Sequence, residues 1–144
     1  MVQVIKFEAR PGTSLKSLTK GFVLTKRTEG KSPRTVEYYQ ENLERFLWYV
    51  EKQGWPDDIR LLTEWQIREF LGYVATATER WGLKGNGSET SERKASYSTV
   101  HHYFVVLSCF FNWVVREGFL QQNPIARVEI AKPKPKVIGT SSLL

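Results

Sequence analysis

Four times along this chain a hydroxyl residue stands just ahead of an apolar stripe of helical period, and three of those stripes run into a glycine. A side-chain oxygen at that place accepts N–H groups that a helix start leaves unpaired, and glycine adopts the left-handed conformation that closes a helix end. Thr13 or Ser14 opens the first stripe, with Leu15, Leu18, Phe22 and Val23 on one face to about Thr28 and Gly30 beyond. Ser32 and Pro33 open the second, where Val36, Tyr39, Leu43, Phe46, Leu47 and Val50 recur at three- and four-residue intervals until Gly54, Trp55 and Pro56. Thr63 opens the third, with Gln66 at the capping-box position and Ile67, Phe70, Leu71 and Val74 as its buried face. Ser98 caps the fourth, which carries Val100, Phe104, Leu107, Phe110, Phe111 and Val114 to about Glu117, ahead of Gly118. Between the last two, Thr78 to Ala95 reads as a polar loop, and the strand-like run Val2 to Phe7 has no second strand to pair with. An all-α fold around one core follows.

The other general features fit one globular unit. A length of 144 residues is ordinary for a single domain, and eight Phe, six Tyr and five Trp supply ample apolar surface. No apolar run approaches the roughly 20 residues that cross a bilayer, and Met1 to Arg10 lacks the features of a secretion signal. A cytoplasmic protein with no membrane partner is expected. Cys109, the only cysteine, lies in the apolar run Phe104 to Phe111 and is expected to be a buried, inert thiol.

Enzymatic signatures are missing. Gly85-Asn86-Gly87 follows no strand, so it is no phosphate-binding loop. His101 and His102 are adjacent, which on a helix turns their side chains about 100° apart, a poor metal pair. Glu37, Glu41 and Glu44 read as a solvated face partly balanced by Arg45. No nucleophile–base pair, metal set, cofactor or small-molecule substrate is indicated.

Charge points elsewhere. The net charge of +6 is uneven: residues 1–60 hold eleven Lys/Arg against eight Asp/Glu, residues 91–144 seven against three, and residues 61–90 three against four. A basic balance at both ends favours a charged face and a polyanionic partner. Lys31-Ser32-Pro33-Arg34-Thr35 opens the second helix and Arg93-Lys94-Ala95-Ser96-Tyr97-Ser98-Thr99 the fourth. Helix starts carry partial positive charge, and hydroxyls and cations there hold phosphate; the plainer reading is two ordinary caps among surface cations. Thr99, His102, Val105, Ser108 and Asn112 form the polar side of the fourth helix, with Val105 and Val106 as partner-facing apolar residues. A protein-interaction module anchored on Trp55, Trp65 and Trp81 is the competing reading.

Three runs carry a more specific likeness: SPRTVEYYQENLERFLWYV (Ser32 to Val50), LLTEWQIREFLGYV (Leu61 to Val74) and STVHHYFVVLSCFFNWVVREGFLQQNPIARV (Ser98 to Val128). In this order and spacing, Ser14 to Val128 resembles the core-binding, SAM-like N-terminal domain of the tyrosine recombinases, the phage-integrase family. The resemblance implies a four-helix orthogonal bundle that grips one face of double-stranded recombination-site DNA. A separate catalytic domain, joined by a basic linker, closes over the other face. Residues 1–13 are then an N-terminal extension, 14–128 the DNA-binding domain, and 129–144 the linker and the start of that further domain. The family's catalytic arginines, lysine, histidines and nucleophilic tyrosine have no counterpart here, so strand exchange by this chain alone is not expected, although the full-length recombinase is expected to self-associate on DNA. Carried over by position, the DNA contacts are Arg34, Thr35, Tyr38 and Arg45 on the second helix. Arg93, Lys94, Ser96, Tyr97, Thr99 and His102 follow at the fourth, then Lys132, Lys134 and Lys136 in the linker. His102 and Ser108 stand where the family often has arginine, and the 78–95 loop exceeds the usual connection.

Overall fold

The structure, a computed structural model, describes residues 12–76 and 97–131. Helix α1 spans Leu15–Thr28, α2 Pro33–Gln53, α3 Glu64–Thr76 and α4 Tyr97–Arg116, with a 3-10 turn at Ile59–Leu61 ahead of α3. There is no strand among the described residues, and the architecture is the expected all-α four-helix bundle. The Val2–Phe7 run, the Thr78–Ala95 loop and the lysines after Ala131 lie outside the described residues.

The local signals act as their chemistry dictates. Ser14 caps α1 by accepting the Ser17 N–H at 3.2 Å, and Ser32 caps α2 by accepting that of Thr35 at 3.1 Å. Gly54 ends α2 at φ +75°, where its N–H donates to the Glu51 carbonyl and that of Trp55 to Val50. Thr63 and Gln66 form both halves of a capping box, at 3.0 and 3.2 Å. One expectation fails: α4 begins at Tyr97, so Ser98 lies inside its first turn rather than capping it. A staple across the start of the bundle has no forewarning in the sequence. Asp57 accepts from the Ser14 hydroxyl at 2.8 Å and the Lys16 N–H at 2.9 Å, and the Ile59 N–H donates to Thr13. Those bonds pin the turn after α2 to the start of α1 and bury Ile59.

Helix α4 packs against α1, α2 and α3 alike, which makes it the central element. Two aromatic nodes hold it. Phe22 of α1 meets Tyr39, Phe110 and Trp113 edge-on, with centroids 5.4, 5.6 and 5.7 Å away. Phe70 of α3 meets Phe46, Tyr49 and Tyr103 at 5.1, 5.4 and 5.5 Å. Each fully buried Phe contributes about 2–3 kcal/mol by leaving water, and such ring pairs add about 1 kcal/mol more. A helix with neighbours on three sides is apolar nearly all round. Val106, expected on the polar side, is accordingly 0% exposed, while Phe104, expected in the core, is half-buried. After α4 the Asn123 side chain accepts the Ile125 N–H at 2.9 Å, and Ile125 and Val128 return to the core.

Candidate nucleic-acid interface

Arg34, Tyr38, Glu41 and Arg45 are spaced i, i+4, i+7 and i+11 on α2 and so share one stripe. Thr99 and His102 share a stripe of α4 in the same way. The two stripes meet where the Tyr38 and His102 rings contact edge-on, centroids 5.8 Å apart at 82°. Arg34 and His102 are exposed, and Thr35, Tyr38, Arg45 and Thr99 are half-buried. Tyr38 also lines a shallow hollow with Arg34, Thr35, Glu37 and Glu41, so the start of α2 and the first turns of α4 flank one continuous patch. Of the other expected contacts, Tyr97 is the first residue of α4. Arg93, Lys94, Ser96, Lys132, Lys134 and Lys136 fall outside the described residues.

The electrostatics of the patch differ from the sequence expectation in two respects. Neither Arg34 nor Arg45 has an ion-pair partner among the described residues, where the pairs are Lys26–Glu29, Arg60–Asp58 and Arg68–Glu64. Arg45 therefore makes no direct ion pair with Glu41 one turn away, and Glu44 accepts from Gln40 at 3.1 Å. Glu37 and Glu41 share the hollow with Arg34, so they set an acidic border that repels a polyanion from that side. The start of α2 also offers fewer donors than a bare helix end. Pro33 has no N–H, Thr35 donates to Ser32, and Val36 donates to the Ser32 carbonyl. The Ser32 hydroxyl itself donates to Thr35 Oγ1 at 3.0 Å. Ser32 thus acts as a cap, and the attraction for anions at this end rests on the Arg34 side chain more than on the helix dipole.

Behind the patch, burial pushes the Tyr38 and Tyr39 hydroxyls above their ordinary value, and the nearby Cys109 adds to it. Both phenols stay neutral and serve as packing surfaces and hydrogen-bonding groups. Cys109 is half-buried, not fully buried as expected, and the two tyrosines cover it. Two further features have only weak signals in the sequence. Trp65, at the start of α3, is 71% exposed with the Arg68 guanidinium 4.9 Å from its ring centroid. Lys16, Lys20 and Arg27 line up on one stripe of α1, a spacing visible in the sequence but merged there into the net charge. Among the described residues no helix is long and apolar enough to cross a membrane. No group of three or more His, Cys, Asp or Glu comes together among them either. Hydroxyls, guanidinium groups and ring edges on an open face can hold phosphate and sugar.

Comparison with known proteins agrees with this fold. No protein-family model matches the chain. A tyrosine recombinase of Thermosipho africanus is 26% identical over 106 residues, which are 74% of this chain but 32% of the relative. The chain thus spans about a third of that protein's length. The N-terminal domain of a phage integrase/site-specific recombinase from Haloarcula marismortui superposes with a TM-score of 0.55 at 17% identity, over 75% of this chain and 86% of the other. The integrase from mycobacterium phage Brujita gives a TM-score of 0.55 at 19% identity, over 83% of this chain and 33% of that one. At such identities the solved structures establish the fold alone; joined to the sequence match, they support an N-terminal domain of the tyrosine recombinase, or phage integrase, family.

Proposed function

We propose that this chain is the DNA-gripping part of a site-specific tyrosine recombinase, residues 14–128 forming the binding domain and residues 129–144 the basic linker toward a catalytic domain. The α2 and α4 stripes lie on one face of the duplex, with Arg34 and Arg45 on phosphates and Thr35, Tyr38, Thr99 and His102 on phosphate, sugar or groove edges. Arg93, Lys94, Ser96 and Tyr97 extend that face at the start of α4, and Lys132, Lys134 and Lys136 follow the backbone onward. The observation that carries the reading is the Tyr38–His102 contact, which joins residues far apart in sequence into one patch beside two arginines that form no ion pair among the described residues. In this reading the chain performs no strand exchange itself, works in the cytoplasm, and depends on other copies of the full-length protein for assembly on DNA.

Each neutralised phosphate releases counterions, so affinity for a labelled duplex should fall steeply between about 50 mM and about 200 mM salt. Binding that ignores salt, or that is absent at both concentrations, would refute the reading. The exposed Trp65 and Leu61, the latter 56% exposed, favour a second reading as a protein-interaction module. That module would bind its partner with little salt dependence and would lose it on Trp65→Ala, a change that should leave duplex binding intact.

A further inference from the structure

Another exposed feature lies on the other side of α2. Helices α1 and α2 run antiparallel, since Asp57 just beyond α2 bonds to Ser14 and Lys16 at the start of α1. An open groove of about 780 Å³ lies between them. Leu47, Trp48 and Trp55 line it and are only half-buried. Its α1 rim carries Lys16, Lys20 and Arg27, and its α2 rim carries Glu44 and Glu51. None of these five has an ion-pair partner among the described residues. A cover for such ground is apolar at its centre and carries both signs of charge at its edges.

The chain enters the bundle at the end of this groove. Residues 1–11 stand outside the described residues and join it at Gly12 and Thr13, next to the bond between Ser14 and Asp57. Gly12 lies in a turn at φ +77°, the value of the third residue of a type II turn. Pro11 ahead of it is the residue such turns favour at their second position. We infer that this turn reverses the chain and that the groove's occupant is the chain's own segment Val4 to Ala9, laid extended between α1 and α2. Reversal sets Arg10 beside Thr13. Counted from there, Val4 to Ala9 run beside Lys16 to Arg27, a length of about 17 Å both at 3.3 Å per extended residue and at 1.5 Å per helical one. Side chains alternate along an extended chain, so Ile5 and Phe7 cover Leu47, Trp48 and Trp55 while Lys6 and Glu8 stay at the rims. Glu8 comes level with the stretch from Lys16 to Lys20, and Lys6 falls farther along, where the facing rim holds Glu44 and Glu51. The apolar run Val2 to Phe7, which has no strand to pair with, thereby gains a buried place. This assignment does not rest on the DNA reading.

A carbodiimide couples only carboxylates and amines already in contact. On the 144-residue chain it should join Glu8 to Lys16 or Lys20, and Lys6 to Glu44 or Glu51, within species of 16.7 kDa, as read by mass spectrometry of the peptides. Ile5→Asp combined with Phe7→Asp keeps the tether and the coupling groups but removes the apolar anchors. It should lower the yield of these products about tenfold or more, as withdrawing a buried aromatic side chain does. The same variant should shift the indole N–H resonances of Trp48 and Trp55, with helix content by circular dichroism unchanged. No such product from the parent chain would overturn the proposal. So would an equal yield from the variant, which would show nearness through the tether alone. Products confined to species of double mass would overturn it as well, by seating another copy's segment in the groove.

Discussion

Helix α2 presents two exposed faces of opposite character. Toward α4 it offers Arg34, Tyr38 and Arg45, two cations that form no ion pair among the described residues and a ring that closes against His102. Toward α1 it offers Glu44, Glu51, Leu47 and Trp48, anions and half-buried apolar groups. Glu37 and Glu41 line the hollow of the first face beside Arg34 and Tyr38 and give it an acidic edge. On the first face the guanidinium groups stand among hydroxyls and ring edges beside an acidic border, which suits a wet, salt-sensitive contact with a polyanion. The second, with the cations of α1 opposite, has both signs arranged around apolar ground, which suits a segment whose apolar side chains alternate with charged ones. A single helix can serve both because its core-facing residues, Val36, Leu43, Phe46 and Val50, hold it in place without help from either.

The comparison breaks most severely through the core that both faces share. Phe22 touches Tyr39 on α2 and Phe110 and Trp113 on α4, so it supports the groove and the α2–α4 patch together. Phe22→Ala should cost about 3–5 kcal/mol in urea unfolding, a large part of the stability of a domain this size. Duplex binding and the carbodiimide cross-links of the groove should decline together. A variant that lost only one of them would show that the two faces do not share this support.

Next in size is a change confined to one face. Arg34→Ala combined with Arg45→Ala should weaken duplex binding about tenfold near 50 mM salt and lower the slope of log affinity against log salt by about 2, one for each phosphate no longer neutralised. The effect should be similar for unrelated sequences, since phosphate contacts position and do not read bases. The groove cross-links should be unaffected. An unchanged salt slope would move the nucleic-acid face away from α2.

How far such faces can be read from sequence depends on how many neighbours shape them. Helix α3 is fully legible: Ile67, Phe70, Leu71 and Val74 are all buried, because it faces the core on one side only and its stripe stands out against polar residues. Helix α4 is not. With apolar residues on three sides its period defines no unique register, which is why periodicity alone sets Val106 outside and Phe104 inside. The α2 stripe is legible as a set of residues, but its contact with His102 depends on how two helices cross, which no single helix encodes. The α1–α2 groove is invisible for the same reason, since each of its rims is an ordinary solvated stripe until the helices pair. The clamp of Asp57 on Ser14 joins residues 43 apart in sequence and has no local signature.

A smaller effect tests what orients the first face. Ser32→Ala removes the oxygen that accepts the Thr35 N–H and the hydroxyl that donates to Thr35 Oγ1, and should cost about 1 kcal/mol of stability. If Arg34 holds phosphate mainly through its side chain, duplex affinity should drop less than about twofold in Ser32→Ala, well below the decrease on Arg34→Ala. A comparable drop would return the anion site to the backbone donors of the helix start, and the face would then be a helix-dipole site rather than a guanidinium one.

The smallest expected effect comes from a third side of α2 and serves as a control for both faces. The Tyr49 hydroxyl donates to Glu69 on α3 at 3.1 Å, and its proton is held up to about pH 12, first by burial and then by that bond. The unfolded phenol ionises near 10. Between these values the unfolded chain releases a proton that the folded chain keeps, so this contribution to stability is complete below pH 10 and fades as pH rises toward 12. In Tyr49→Phe no phenol titrates at this position, and the alkaline decline in urea midpoint should be shallower than in the parent chain by that one group. Neither the salt slope of duplex binding nor the groove cross-links at neutral pH should move, because the phenylalanine ring keeps the contacts of Tyr49 with Phe70, Tyr73 and Trp55 and loses only the hydroxyl. A change in either would mean that the sides of α2 are coupled through the helix itself, and that its two exposed faces are not separate devices on a common core.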